Sequence, residues 1–195
     1  MTITARIYSP EKLTDHAKAA LSDGLDIVGQ YTGRISVVGH STVKLPSDTY
    51  GEVNPHKVGY KGFDKAVDIH LFMARISFGR GVAGLGYRST GVAWIESRTA
   101  INKTPLVAAH EVSHALGFLV PDAPQAIKND VGHCATKTCI MTPKIETSAF
   151  GFGDILPTDF CLPCKADMRD VAEENISEIH YARRVLGTVT NLCYV

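Results

Sequence analysis

From Thr104 to Gly117 the sequence reads TPLVAAHEVSHALG, and the His-Glu-x-x-His string within it constrains this chain more than any other stretch. Four residues along an α-helix make slightly more than one turn and advance it by about 6 Å. His110 and His114 therefore leave one face, close enough to share a metal ion. Glu111 is turned by about 100° around the axis, beside that ion rather than on it, where a general base for an activated water belongs. Thr104 is expected to cap the helix, with Pro105 at the first position, where a missing N–H costs nothing. Gly117 suits the stop because it tolerates positive φ. Leu106, Ala109, Ser113 and Leu116 give a small, apolar back face. The bland alternative is a surface helix with a chance His pair, a pattern expected in roughly one of a few hundred chains of this length. The capping residues and the cysteines downstream favour the metal.

Five cysteines stand at positions 134, 139, 161, 164 and 193. An odd count with no recognisable secretion signal disfavours a disulfide framework. Cys134-x4-Cys139 followed by Cys161-x2-Cys164 reads instead as two halves of a tetrathiolate zinc site, against the alternatives of two disulfides or four buried thiols. A redox or iron–sulfur role is disfavoured because the cysteine context suits zinc. Cys193 reads as a lone thiol. The sequence thus implies two Zn2+ ions.

At 195 residues the chain suits a single domain with two lobes around a cleft, residues 1–117 and 118–195. A hydrophobic content of 45% with 21% charged residues is enough for a real core. Twenty basic residues balance twenty acidic ones with no dense run of either, so neither nucleic acid nor an anionic membrane is an expected partner. No apolar run approaches the roughly 20 residues that span a bilayer. The opening MTITAR lacks the layout of a signal peptide, so a cytoplasmic location is expected.

Taken in order, residues 2–8 alternate as a strand, and Ser9-Pro10 looks like a helix start, with the helix running to about Gly29. Residues 34–45 read as a strand bent at Gly39, and 46–62 as a loop. His16 and His56 are read as solvated. Residues 67–74 form a strand in which His70 belongs to one sheet face. Phe78 to Tyr87 is Gly-rich but has no GKS/T ending, so a phosphate loop is disfavoured. Val82 to Tyr87 reads better as an edge strand bordering the cleft. There Ala83, Gly84 and Leu85 are positioned to pair with an extended peptide through main-chain hydrogen bonds. Residues 91–97 form another strand, with Trp94 in the core. Residues 165–186 carry apolar positions at helical spacing, and 188–195 are β-prone.

The string HEVSHALG, then His133-Cys134-x4-Cys139-x-Met141, then Cys161-x2-Cys164 resembles the archaemetzincin family of zinc metallopeptidases, whose pattern runs HExxHxxGxxHC, CxM, CxxC. The resemblance covers about Phe78 to Cys164. It implies an α+β metzincin fold: a twisted mixed sheet, a backing helix, the active-site helix, and a small C-terminal lobe with a four-cysteine zinc site and a long helix. It also implies a catalytic zinc on His110, His114 and His133, Glu111 as base, Met141 as the apolar Met-turn floor, and a structural zinc on Cys134, Cys139, Cys161 and Cys164. One departure is large. The family places two residues between the Gly and the third His, whereas here Phe118 to Gly132 intervene, fifteen residues. His133 remains the favoured third ligand because His-Cys-x4-Cys-x-Met is intact around it. Its rivals are Asp122, Glu173 and Glu174, and the insertion is expected to bulge outward. A second, milder departure is the nineteen residues between Met141 and Cys161.

Three protein ligands leave a place for water, as in a hydrolytic rather than structural site. The expected activity is zinc-dependent hydrolysis of peptide bonds, endo- or aminopeptidase, with a peptide or protein substrate. Tyr60, Tyr87 or a loop arginine are the candidates for a second oxyanion donor. The rival reading is a zinc-stabilised binding or regulatory module that performs no turnover.

Overall fold

A computed structural model of the chain describes residues 2–45, 66–75, 78, 82–87, 90–119, 123–143 and 156–170. The expected loop with His56 and Tyr60, and also Asp122, Glu173, Glu174, Cys193 and the tail, lie outside them. In chain order come β1 (Ile3–Ser9), α1 (Asp15–Thr32), β2 (Ile35–Thr42), β3 (Ile69–Ala74), β4 (Gly84–Tyr87) and β5 (Val92–Glu96). There follow α2 (Thr104–Ala115), β6 (Ala126–Ile127), β7 (Asp130–Cys134) and, at the end of the described residues, a helix, α3, covering 162–170; the remainder of the helical pattern expected over 165–186 lies outside them.

Five strands form one sheet in the order β2-β1-β3-β5-β4. All neighbours are parallel except β4 against β5, so the expected mixed sheet is present, with β4 at its edge among the described residues. The two faces follow the period-2 alternation of pleated strands. Ile3, Ala5 and Ile7 of β1, Ile69, Leu71 and Met73 of β3, and Ala93 and Ile95 of β5 point to the main core under α1 and α2. Tyr8, Phe72 and Trp94 point the other way and stack in a row across the three strands, with centroids 4.8 and 4.2 Å apart. Trp94 is a core residue, as expected. His70 is buried on that same face against the Tyr8 hydroxyl, 3.0 Å from its Nδ1.

The sequence expectations need four adjustments. Ser9 is not a helix cap: it ends β1, buried, because the residue before a proline favours extended backbone. α1 starts instead after Thr14, whose hydroxyl accepts from Ala17 N at 3.2 Å, and it stops at Gly33 with φ 96°. The bend expected at Gly39 is a bulge in which Ala5 pairs with Val37 but Arg6 with Gly39, leaving Val38 out of the ladder and exposed. α3 starts at 162, inside the Cys161–Cys164 pair. The insertion does not simply bulge outward. Phe118 and Leu119 are buried in the main core, Ala123 and Ala126 pack against it, and β6 and β7 form a hairpin turned at Lys128-Asn129.

Gly24 lies where α1 meets α2, and a Cβ there would fall 2.6 Å from both Ala108 Cβ and Pro105 O. Gly24→Ala gains about 1 kcal/mol of helix propensity, but forcing two packed helices apart costs about 1–3 kcal/mol. Chemical denaturation is expected to show a net loss of stability; a more stable variant would contradict the close crossing.

Candidate metal centre

α2 has no side-chain cap. Lys103 holds the capping position, and Thr104 is the first helical residue, its buried hydroxyl donating to Ala100 O at 3.3 Å. The cap expected at Thr104 is therefore displaced by one residue. Pro105 sits in the first turn and Gly117 leaves the helix at φ 91°, as expected. Leu106, Ala109, Ser113 and Leu116 are all buried.

On this helix His110 and His114 bring their Nε2 atoms to 3.0 Å. The His110 Nδ1–H donates to Ile140 O at 2.7 Å, so Nε2 is the nitrogen left for a metal. β7 delivers His133, whose ring centroid lies 5.3 Å from that of His110 and 5.0 Å from that of His114. One ligand atom from each of the three comes within 4.8 Å of the others. The structure thus brings His133 to the pair despite the long insertion. Room for it comes from Gly132, at φ 90°, where a Cβ would press to 2.9 Å from His114 Cε1.

Glu111 sits beneath the edge strand. A Cβ at Gly84 would meet its Cγ at 2.5 Å, and one at Gly86 would meet its backbone O at 2.2 Å. Only a strand without side chains at these two places can run so close to α2. Burial raises the Glu111 carboxyl to about 8, against the pull of a hydrogen bond from the Gly86 backbone N–H. Burial likewise lowers His110 to about 4, with the charge of His133 adding to it and the Ile140 carbonyl opposing. Both groups are held neutral near neutral pH. A cleft of about 500 Å³ joins these residues; it is lined by Ala83, Gly84 and Leu85 on one side, by His110, Glu111, His114 and His133, and by Val107, Thr142 and Pro143. Tyr87 does not line it. That side chain is buried in the cluster on the far face of the sheet, which removes it as an oxyanion donor.

The four cysteines Cys134, Cys139, Cys161 and Cys164 gather with their Sγ atoms within 4.8 Å of one another. None is in a disulfide. Cys134 and Cys161 stand at 3.7 Å, close to the roughly 3.8 Å that two thiolates make on a tetrahedral zinc with bonds of about 2.3 Å. Backbone N–H groups already point at the sulfurs: Thr136 N at Cys134 (3.4 Å) and Cys161 N at Cys139 (3.3 Å). Hydrogen bonding from the Cys164 thiol takes Cys139 down to about 5, and the same contact pushes Cys164 up. Both donor sets therefore fit a divalent cation. Met141 is buried next door, its carbonyl accepting from Cys134 N at 2.8 Å.

Sequence reasoning passed over Asp130, whose Oδ1 lies 2.7 Å from His133 Nδ1. It also passed over Gln125, which ties the hairpin to α3 through Asp167 Oδ2 at 2.5 Å. Neither belongs to a motif or a periodic pattern; only its position in the chain, three residues before a suspected ligand, marked Asp130.

Sheet order, helices and the two donor clusters define an archaemetzincin-like fold. Among solved structures the chain is similar to archaemetzincin from Methanopyrus kandleri, with a TM-score of 0.64 and 16% identity over 90% of this chain and 96% of that one. A zinc-dependent peptidase from Methanocorpusculum labreanum gives 0.59 and 15% over 85% and 99%. Archaemetzincin from Archaeoglobus fulgidus, solved with malonate, gives 0.53 and 18% over 86% and 99%. No protein-family model matches the sequence, and no curated protein matches it.

Any metal here competes with protons for nitrogen and sulfur. Because each imidazole and thiol must shed its proton to bind, metal content of zinc-loaded protein is expected to hold at neutral pH and to fall on acidification, the histidine site giving way as the pH drops toward the range, about 4, where His110 takes its proton. Elemental analysis after dialysis across a pH series measures this; full retention well below it would contradict the assignment of these donors.

Proposed function

We propose that the chain is a zinc-dependent metallopeptidase, a single domain whose 1–117 and 118–195 parts meet at the cleft. His110, His114 and His133 would hold a hydrolytic zinc, and Cys134, Cys139, Cys161 and Cys164 a structural one, two ions in all. What carries the reading is the coincidence in one cleft of three imidazoles, a buried carboxyl and a sheet edge. The proteins of similar fold include two named as archaemetzincin and one as a zinc-dependent peptidase.

When bound, such a zinc supplies Lewis acidity toward water and carbonyl oxygen. The chain's own residues do the rest. Cationic charge nearby favours the carboxylate form of Glu111, which then accepts the proton of the attacking water and returns it to the leaving amine. β4 offers the main chain of Ala83, Gly84 and Leu85 to an extended peptide, laying its carbonyl across Glu111. Val107, Leu85 and Pro143 exclude water from the cleft wall, and Met141 forms the apolar floor behind the imidazoles. The substrate is thus a peptide or protein. Among the described residues no helix is long and apolar enough to cross a membrane.

Glu111→Gln and Glu111→Ala, each loaded with zinc, are expected to lose roughly 10²-fold or more of wild-type peptide hydrolysis while keeping their metal content. A mixed-peptide digest read by mass spectrometry measures it. Equal cleavage in all three proteins would end the proposal, and metal-loaded wild type that cuts nothing would favour the non-catalytic binding module.

A further inference from the structure

The insertion that carries the third imidazole brings a carboxylate of its own. Asp130 and His133 are three residues apart on β7, a separation that puts side chains on opposite faces of a regular strand. Two irregularities bring them together. Gly132 takes φ 90°, and the β6–β7 register jumps so that Ala126 pairs with Cys134 but Ile127 with Asp130. Residues 131–133 are left arched between those two pairs, and His133 Nδ1 meets Asp130 Oδ1 at 2.7 Å. The nitrogen left for the cluster with His110 and His114 is Nε2. His110 is fixed in the same sense by a different group, the Ile140 carbonyl.

We propose that Asp130 is a positioning residue for His133: its carboxylate accepts the Nδ1–H bond and thereby fixes the tautomer and ring plane that present Nε2 to a divalent cation. The proposal rests on the reading that the three histidines bind zinc. Such a partner is needed at His133 more than at His110 or His114, because those two are held by a buried helix whereas His133 rides on a two-strand hairpin. A carboxylate is a strong acceptor for this bond and favours the ligating tautomer. Loss of a partner of this kind costs about 10–100-fold in metal affinity. The Asp130 side chain is 44% exposed and that of His133 22%, so solvent screens the pair and the lower end applies, roughly tenfold.

The test compares full-length wild type, Asp130→Ala and Asp130→Asn by zinc titration against a chromophoric chelator, with Co2+ substitution to report the three-histidine site by its visible absorption. Asp130→Ala is expected to weaken that site roughly tenfold and to alter its Co2+ spectrum, with the four-cysteine affinity unchanged. Asp130→Asn keeps an oxygen that accepts Nδ1–H and is expected to recover most of the loss. Far-UV circular dichroism of the metal-free proteins checks that all three are folded alike. Affinity of Asp130→Ala within about twofold of wild type would overturn the proposal, since a surface ion pair without influence on the metal would give that result. Equal losses in both variants would overturn it too, because charge and not the oriented hydrogen bond would then be responsible. Wild type that binds no zinc at its histidines would instead sink the underlying functional reading, and shows before any variant is compared.

Discussion

Two adjacent residues, His133 and Cys134, hold this architecture together. Neighbours at the end of a strand point to opposite sides, so one short piece of β7 supplies a nitrogen to the imidazole cluster and a sulfur to the thiol cluster. Ile140 repeats the device. It lies between Cys139 and Met141, accepts the His110 Nδ1–H with its carbonyl, and donates its own N–H to Asp159 O at 3.1 Å. Two of the three imidazoles are therefore placed by backbone that the cysteine cluster anchors. The distance between the clusters is set by covalent geometry, and the hairpin, the Met141 segment and α3 are arranged around that fixed spacing.

Burial does the electrostatic part. Moving a charge from water into a protein interior costs several kcal/mol unless it is paired, and the described neighbours of Glu111 include no cationic Lys or Arg. Burial in the cleft accordingly favours an uncharged Glu111 and uncharged His110. A cation arriving between the histidines reverses that balance for Glu111 while keeping the imidazoles neutral, as ligation demands. The glycines at 84 and 86 belong to the same physics: by letting β4 approach α2 they dry the carboxyl and bring a backbone N–H to it.

How much of this the letters disclosed depended on whether a residue's position follows from local geometry. His110, Glu111 and His114 were legible because helix periodicity alone sets their relation. The cysteines were legible because paired spacings on short loops restrict the sulfurs to one neighbourhood, and the sheet was legible through the short, mostly apolar runs in residues 67–74 and 91–97, which are buried on both faces. The start of α1 was misplaced because Ser9-Pro10 imitates a helix start; what decides against it is sheet pairing, with Ser9 opposite Thr42, a contact remote in sequence. β6 and β7 were missed because a two-residue strand and an arch through Gly132 have no periodicity to detect. Asp130 was missed with them: its partnership with His133 exists only because the strand is irregular.

The insertion shows how the path from Gly117 to His133 can be long while the three imidazoles still gather. Lengthening the two-residue link of the family pattern to fifteen residues costs only about 2 kcal/mol of closure entropy by the logarithmic rule. Burying Phe118 and Leu119, exposed by 2% and 1%, contributes about 1.5–3 kcal/mol each and offsets that cost. What a longer link forfeits is direction, since a tight glycine turn aims the third histidine and a flexible loop does not. Here direction is restored downstream, by a hairpin whose end is pinned on one side through Cys134 N to Met141 O and on the other through Ala135 N to Gln125 O at 2.9 Å. The fold thus fixes where a few nitrogen and sulfur atoms end, not the route that takes them there.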